Sequence, residues 1–335
     1  MTALRLHGGP GPDGPARWDF SSNGHPAGPC PDALAAVQAA DPCRYPDPSH
    51  QALRAALGAF HGVDPDQVLI AASGSEFIQR ISAIGARLAP GPVQVPPTAY
   101  GDYALAARAH GRTVVTAVDG PAPTLRWWAE PSSPLGRDAA PPAAPGACPT
   151  VLDCVYAPLR LDSTGRWTDA DRAAAITLHS PGKALGLLGV RAAYALLPAA
   201  DAVAWDVAAW RHALLAAEPS WPLGGQGVAL LQAWCHPAVQ QWLDQSRPQL
   251  RAWRDSLRQQ LADRGVVLAD SVTPFFGALL QLDAQALRRH GVAVRDAASF
   301  GLPGWVRLNA LPPPAQAALL HVVDHARSAT PEPAR

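Results

Sequence analysis

Lys183 is the only lysine in this chain of 335 residues, and the other 26 of the 27 basic Lys and Arg residues are arginines. A chain so biased uses arginine wherever only a positive charge is needed. Arginine cannot form a Schiff base because its guanidinium stays protonated, whereas a lysine amine is a competent nucleophile. We therefore interpret the Lys183 amine as chemically active. The plainer alternative is a surface lysine retained by chance.

The surroundings of Lys183 favour a reactive amine beside a phosphate. Ser180 stands three residues before it and Arg191 eight residues after it, and both side chains can bind phosphate, arginine in a bidentate manner. The segment SGSE at 73–76 follows the apolar run VLIAA, which predicts a strand, a glycine turn and a helix. Free amides at the start of a helix bind phosphate, although a tight turn uses glycine for other reasons as well.

Asp153 ends an apolar strand pattern at 150–155. Ligands of open parallel sheets gather where strands end, and a carboxylate there can keep a pyridine nitrogen protonated. Taken alone, Asp153 is more simply a helix cap or a turn residue. A phosphate turn, a carboxylate and then a lysine with phosphate ligands is nevertheless the order expected for pyridoxal phosphate at the edge of a parallel sheet.

Composition excludes several other classes of function. The formal net charge is zero and no basic block occurs, which argues against nucleic acid or anionic membrane as a partner. No apolar run could span a bilayer, and the N-terminus lacks the apolar segment of a signal peptide. Five cysteines without paired spacing predict reduced thiols in the cytoplasm. The 11 histidines show no metal-binding spacing, so no metal site is expected.

The hydrophobic pattern alternates strands with helices, which predicts an α/β fold with a mainly parallel sheet. Strands are expected at 68–72, 93–95, 113–118, 125–129, 150–155, 173–178, 191–197, 266–268, 278–282 and 305–308. Helices are expected at 31–40, from Ser49 as cap to 60, after the glycine turn to about 88, and at 102–110, 200–217, 225–234, 237–264 and 313–328. The proline-rich segment between Gly136 and Asp153 is too short for a full crossover helix.

Taken together, these motifs resemble a known family. The segments that carry the resemblance, in the family's order, are HGG at 7–9, DFSSNGHP at 19–26, RYPD at 44–47, SGSE at 73–76, Tyr100 with Tyr103, Asp153 with Tyr156, Ser180 with Lys183 and Arg191, and GLPGWVR at 301–307. The chain resembles fold-type I pyridoxal-phosphate enzymes of the aspartate aminotransferase superfamily, in the branch that contains histidinol-phosphate aminotransferase. Within that branch it looks most similar to the threonine-phosphate decarboxylases of cobalamin biosynthesis.

The resemblance implies specific roles. Lys183 would carry pyridoxal 5'-phosphate as the catalytic residue. The implied cofactor contacts are Gly74, Ser75, Glu76, Tyr100, Ser133, Asp153, Tyr156, Ser180 and Arg191, with Tyr45 reaching the cofactor of a neighbouring subunit in a homodimer. The implied substrate contacts are His7, Gly8, Gly9, Asn23, His25 and Arg307. The implied domains are a large cofactor-binding domain at 41–236 and a small domain formed by 237–335 with the N-terminal segment 1–40.

Three departures from the family pattern stand out. The family motif NPNNPTG provides an asparagine that hydrogen-bonds the phenolic oxygen of the cofactor, but this chain has EPSSPLG at 130–136, with Ser133 nearest to that place. The only two asparagines, Asn23 and Asn309, cannot occupy it. His25 stands where the family often has asparagine, and Gly182 where a serine or threonine often precedes the lysine.

Three functions are compatible with these motifs. The HGG start and the C-terminal arginine segment favour decarboxylation of L-threonine O-3-phosphate to 1-amino-2-propanol phosphate. The alternative is an aminotransferase of the histidinol-phosphate or aromatic type, which would use the same cofactor to break a different bond at Cα. The missing asparagine leaves open a third possibility, a protein that keeps the fold without catalysis.

Overall fold

A computed structural model describes residues 7–11, 14–116 and 121–328. Its strands, in chain order, are β1 (Trp18–Asp19), β2 (Val68–Ala71), β3 (Val93–Gln94), β4 (Val114–Val115), β5 (Leu125–Ala129), β6 (Thr150–Asp153), β7 (Ile176–His179), β8 (Ala193–Leu196), β9 (Val267–Leu268), β10 (Phe275–Leu279), β11 (Val292–Ala293), β12 (Arg295–Asp296) and β13 (Trp305–Asn309). Its α-helices are α1 (Pro31–Ala39), α2 (Gln51–His61), α3 (Gly74–Leu88), α4 (Gly101–Ala109), α5 (Asp169–Ala173), α6 (Val207–Ala216), α7 (Gly225–Trp234), α8 (Pro237–Ala262), α9 (Ala284–Arg289) and α10 (Pro313–Ser328).

A seven-stranded sheet in the order β2-β8-β7-β6-β5-β3-β4 forms the centre of the larger unit. Strand β8 runs antiparallel to both of its neighbours, and the remaining pairings are parallel. Strands β2, β5, β6 and β7 therefore end at the same edge of the sheet. The predicted mainly parallel sheet is confirmed, and strands such as β2 and β6 are almost entirely buried, as expected for a sheet covered by helices on both faces.

Two apolar cores lie on either side of this sheet. One packs α3, α4 and α6 against it through residues such as Leu69, Ile81 and Trp210. The other packs α1, α2 and α7 against it through Leu57, Tyr194 and Leu230. A third core belongs to the antiparallel sheet β12-β13-β10-β9 together with α8 and α10.

The N-terminal segment joins this third core. Strand β1 pairs in parallel with β11, and the neighbouring Phe20 is fully buried in the core. The sequence pattern did not predict β1, β11, β12 or α9, because each has six residues or fewer and lacks a clear period. The division into domains at residues 40 and 236 stays a prediction.

Several predicted boundaries were wrong for identifiable reasons. The strand predicted from 173 starts at Ile176, because Thr168 and Asp171 form a capping box that makes 169–173 a helix. The helix predicted from 200 starts at Val207, where Asp206 caps it. His50 rather than Ser49 occupies the N-cap of α2 and has a left-handed backbone.

The prediction that the crossover helix before Asp153 is lost is confirmed. Only a single 3₁₀ turn, Pro145–Ala147, precedes β6 in this segment. No helix in the described ranges is long and apolar enough to cross a membrane.

Candidate active site

The glycine turn after β2 lies at the edge where the parallel strands end. Ser73 caps α3: its hydroxyl accepts a hydrogen bond from the Glu76 amide at 3.1 Å. The amides of Gly74 and Ser75 have no hydrogen-bond partner within the described part of the chain. They can therefore bind an anion at the positive end of the helix dipole. The Glu76 carboxylate is used inside the fold, where it pairs with Arg80 at 3.0 Å.

Asp153 ends β6 at the same edge, and both of its oxygens accept hydrogen bonds. The Tyr103 hydroxyl donates to Oδ2 at 2.5 Å and the Val155 amide donates to Oδ1 at 3.0 Å. Tyr103 is fully buried and its ring stacks on Trp127 at 4.4 Å. Burial raises the pKa of Asp153, while these two donors and the charge of Lys183 oppose the rise. Tyr103 thus holds the carboxylate in place, a role that sequence reasoning missed although its spacing from Tyr100 was noted.

Lys183 lies in the loop after β7, with its Nζ 4.7 Å from the ring centre of Tyr156. The Tyr156 hydroxyl accepts a hydrogen bond from Nδ2 of Asn23 at 3.2 Å. Burial alone would raise the pKa of Tyr156, but the charges of Lys183 and Arg307, with hydrogen bonds from Asn23 and Lys183, lower it overall. The phenol and the amide are therefore buried together, with the half-buried lysine amine beside them.

Arg307 lies on β13 and is buried next to this group. Its Nη2 donates to the Ser21 carbonyl at 2.8 Å and its Nη1 lies 3.4 Å from the Ser133 hydroxyl. Its buried Nε has no partner among the described residues. Arg295 on β12 stands directly opposite Arg307 and is also buried. Sequence reasoning missed Arg295, since β12 has only two residues and carries no motif.

The N-terminal loop also reaches the site. The Gly9 amide donates to the Ser21 hydroxyl at 2.7 Å. A Cβ on Gly8 would lie only 2.2 Å from the Ser21 carbonyl oxygen, so only glycine permits this approach. The ring of His7 is exposed and lies 6.2 Å from the ring of Tyr100. The structure thus brings residues 7–9 beside Tyr100 and the Arg307 segment.

The tyrosine pair at the start of α4 divides its contacts between two carboxylates. The Tyr100 hydroxyl donates to Asp102 at 2.8 Å, and the Ser75 hydroxyl donates to the same oxygen at 3.0 Å. Desolvation by burial raises the pKa of Tyr100. Asp102 was not predicted to be near the site, yet it ties Tyr100 to the turn that carries Ser75.

For four other predicted residues, the described part of the chain shows no side-chain hydrogen bond or ring contact with Lys183. The His25 side chain packs on Trp242 at 4.3 Å and hydrogen-bonds Ser246 on α8, and only its backbone amide contacts Lys183, at the carbonyl oxygen. Arg191 is exposed, and the Ser180 hydroxyl donates to the Ala192 carbonyl at 3.1 Å. Tyr45 is 79% exposed and stacks on Trp221 at 4.6 Å.

The residues at this edge fit pyridoxal phosphate. The two unpartnered amides at the start of α3 suit its phosphate, the half-buried carboxylate of Asp153 suits its ring nitrogen, and Lys183 supplies a primary amine. Two buried polar atoms without partners in the described part of the chain, Asn23 Oδ1 and Arg307 Nε, show that this pocket still has unused hydrogen-bonding capacity. No group of three or more potential metal ligands occurs within 7–11, 14–116 and 121–328.

Comparison with known proteins identifies a family for the chain. The pattern of the family described as "Aminotransferase class I and II" matches residues 131–325. A histidinol-phosphate aminotransferase from Ruegeria pomeroyi is 28% identical over 322 residues, covering 86% of this chain and 85% of that protein. A second, from Jannaschia sp., is 27% identical with the same coverage.

Solved structures share the fold. Histidinol-phosphate aminotransferase from Sinorhizobium meliloti, in complex with pyridoxal-5'-phosphate, has a TM-score of 0.74 at 21% identity and covers 91% of this chain and 90% of that chain. L-threonine-O-3-phosphate decarboxylase from Porphyromonas gingivalis has a TM-score of 0.74 at 19% identity and covers 92% and 99%. At these identities the likeness shows the fold alone.

The prediction of threonine-phosphate decarboxylation is wrong. The curated relatives that span most of the chain are named histidinol-phosphate aminotransferase, and the decarboxylase is one structural neighbour among several aminotransferases. The HGG start and the C-terminal arginine segment therefore do not distinguish the two reactions. Because the family pattern covers more than half of the chain, the protein belongs to the aminotransferase class I and II family and is a pyridoxal-phosphate-dependent enzyme with the aspartate aminotransferase fold.

Proposed function

We propose that this protein is an aminotransferase of the histidinol-phosphate or aromatic type. The observation that carries the reaction type is the shared name of the curated relatives, which match 86% of the chain. Buried Arg307 supports a substrate with an anionic group, and Arg295, whose guanidinium donates to the Asp296 carbonyl and the Ser299 hydroxyl, adds positive charge beside it. Arg295 and Arg307 stand directly opposite each other, so their guanidinium groups lie on the same face of the sheet. Such groups bind phosphate or carboxylate by paired hydrogen bonds.

In this proposal each residue at the sheet edge has a role in holding the cofactor or in moving a proton. Lys183 would hold the cofactor, and its amine would move the proton at the substrate Cα. Asp153 keeps the ring nitrogen protonated, with Tyr103 fixing the direction of the carboxylate. The Gly74 and Ser75 amides would bind the cofactor phosphate. Ser180 and Arg191 lie on the loop between β7 and β8. The bound cofactor supplies an electron sink for the bond that breaks at Cα.

The proposed substrate contacts come from the N-terminal segment and from strand β13. Arg307 and Asn23 are proposed substrate contacts, since both are buried beside Tyr156 and each has an atom without a partner among the described residues. His7, Gly8 and Gly9 are proposed to close over the substrate, because they lie beside Tyr100. Ser133 is proposed as the neighbour of the phenolic oxygen, and its hydroxyl also contacts Arg307.

Amino transfer is tested directly with the cofactor-loaded protein. Histidinol phosphate or phenylalanine is incubated with 2-oxoglutarate, and glutamate formation is measured. We expect glutamate from at least one donor and none from Lys183→Ala. A protein that binds the cofactor, as judged by absorbance near 330 to 430 nm, but transfers no amino group from either donor would contradict the proposal. A protein without that absorbance would instead favour the non-catalytic alternative.

A homodimer in which Tyr45 reaches the neighbouring cofactor is part of the proposal. Tyr45 and Trp221 form an exposed aromatic pair, which a second copy could cover. Sedimentation velocity should give a dimer at micromolar concentration, and Tyr45→Ala should weaken cofactor binding. A monomer that binds the cofactor normally would contradict this assignment. The five cysteines form no disulfide with one another. The cytoplasmic location stays a prediction.

A further inference from the structure

Asn23 is an unusually constrained side chain. It is 3% exposed, and the residues on both sides of it are tied down by hydrogen bonds. The His25 amide donates to the Lys183 carbonyl at 2.8 Å, and the Gly24 carbonyl accepts from the side chain of Asn309 at 2.8 Å. On the other side, the Ser21 carbonyl accepts from Arg307 at 2.8 Å. The position of the Asn23 amide is therefore set by the loop of Lys183 and by strand β13.

The Asn23 amide has one partner and one unused atom. Its Nδ2 donates to the Tyr156 hydroxyl oxygen at 3.2 Å. Its Oδ1 is buried and has no partner in the described part of the chain, which points to a bound group that donates to it. Since the Tyr156 oxygen accepts from Asn23, the single Tyr156 proton is directed elsewhere. The Lys183 amine, 4.7 Å from the Tyr156 ring centre, lies in the same pocket.

Ser133 cannot take over this arrangement. A hydroxyl is shorter than an amide and has a single proton, and the Ser133 hydroxyl already lies 3.4 Å from Nη1 of Arg307. The other asparagine, Asn309, donates to the Gly24 carbonyl. Asn23 is therefore the one asparagine side chain in contact with Tyr156.

We propose that Asn23 is a positioning residue that acts through Tyr156. On this proposal Tyr156 would donate its proton to the phenolic oxygen of the bound cofactor, and Asn23, by donating to the Tyr156 oxygen, would fix and strengthen that hydrogen bond. In this way it supplies the amide hydrogen-bonding that Ser133 lacks. A donor that is itself hydrogen-bonded is polarised and donates more strongly, particularly in a buried site. The inference rests on the cofactor being held at Lys183 and is independent of the amino donor.

The test uses the cofactor-loaded protein without substrate, titrated from pH 5 to 10. The measured quantity is the pH midpoint at which the absorption band of the bound cofactor changes. A hydrogen bond donated to the phenolic oxygen disperses the negative charge on that oxygen. The proton on the neighbouring nitrogen is then held less tightly, and the midpoint moves to lower pH. Asn23→Ala should therefore raise the midpoint by about 0.5 to 1 pH unit. Gln316→Ala is the matched control, because the Gln316 amide is also buried but donates only to the Trp253 and Leu311 carbonyls, and it should leave the midpoint unchanged.

Two double variants separate this role from a merely structural one. In a Tyr156→Phe background, Asn23→Ala should no longer move the midpoint, because Asn23 acts through Tyr156. In a Ser133→Asn background, the shift should fall to less than half, since an amide at 133 supplies the missing donor. Equal shifts in all three backgrounds, or no shift in the single variant, would overturn the inference. Asn23→Leu, which removes the amide at similar size and adds no charge, gives the same readout if Asn23→Ala does not fold.

The outcome is distinguishable from that of the amino-transfer test. The titration contains no substrate, so a protein without aminotransferase activity still reports the midpoint. Conversely, an active aminotransferase whose midpoint ignores Asn23 would leave the proposed function intact and remove Asn23 from this role.

Discussion

The hydrogen bond between Tyr103 and Asp153 offers a quantitative test of how the site is held. Tyr103→Phe removes the hydroxyl that donates to Asp153 at 2.5 Å and leaves the ring stacked on Trp127. Tyr103 is fully buried and Asp153 is half-buried, so solvent has little access to the place that the hydroxyl leaves. Asp153 would keep only the Val155 amide as a donor to its carboxylate.

The magnitude follows from the charge of the acceptor. A hydrogen bond to an ionised group contributes about 1.5 to 3 kcal/mol, roughly twice a neutral one. We therefore expect Tyr103→Phe to lower the free energy of unfolding by about 1.5 to 3 kcal/mol at pH 7. The hydrogen bond from Tyr103 opposes the rise of the Asp153 pKa that burial causes. Its contribution to the free energy of unfolding is therefore present while Asp153 is ionised, and it shrinks as pH falls through the pKa of Asp153 in the folded protein. That pKa is raised by burial, so the shrinkage begins above the usual range of an aspartate.

The assay is urea denaturation of the cofactor-free protein at several pH values, followed by tryptophan fluorescence. Tyr45→Phe is the matched control, since the Tyr45 ring is 79% exposed and the same atom is removed. The control should change stability by less than about 0.5 kcal/mol. Equal stability of Tyr103→Phe and Tyr45→Phe at pH 7, or a Tyr103→Phe deficit that grows towards acid pH, would refute the reasoning.

Two further perturbations follow from the surroundings of Lys183. Gly186 has a φ of +67°, and a Cβ there would lie 2.6 Å from the Gly28 carbonyl oxygen. Gly186→Ala should therefore lower the free energy of unfolding, measured by chemical denaturation, by about 2 to 4 kcal/mol. Gly189→Ala is the control: a Cβ there meets nothing within 4 Å, so the loss should be less than about 1 kcal/mol. Burial lowers the pKa of His25 to about 4, below its unfolded value, so its unfavourable protonation should remove roughly 3 kcal/mol of stability as pH falls from 6.5 to 4. His25→Asn should lose correspondingly less stability over that range, and parallel pH profiles for the two proteins would contradict this account.

The larger sheet was predictable because its strands are continuous apolar runs. Strand β5 and helices α7 and α10 begin and end where the sequence pattern predicted them. The second unit was harder to predict, because β11 and β12 have two residues each and owe their existence to pairing with β1 and β13. Such short strands have no period of their own, so tertiary pairing decides them.

The candidate site divides in the same way. Lys183, Asp153 and the glycine turn each follow a strand, so their meeting at one sheet edge could be inferred from the order of elements. The partners Tyr103, Asp102 and Arg295 could not, because their contacts depend on side-chain directions across the pocket. His25 was assigned to the substrate by its place in a motif, yet its ring packs against Trp242 on α8. A motif predicts where a backbone runs more reliably than where each side chain points.

The N-terminal segment connects the loop of Lys183 to strand β13, so the complete site requires both units of the fold. The N-terminal segment reaches Lys183 through the His25 amide, and strand β13 holds that segment through Arg307 and Asn309. The strands that form the cofactor edge of the large sheet lie within residues 68–196, whereas the side of the pocket proposed for substrate also requires the second unit to be folded. Perturbing β13 should therefore reduce substrate binding before it reduces cofactor binding, since the Gly74 and Ser75 amides and Asp153 do not depend on that strand.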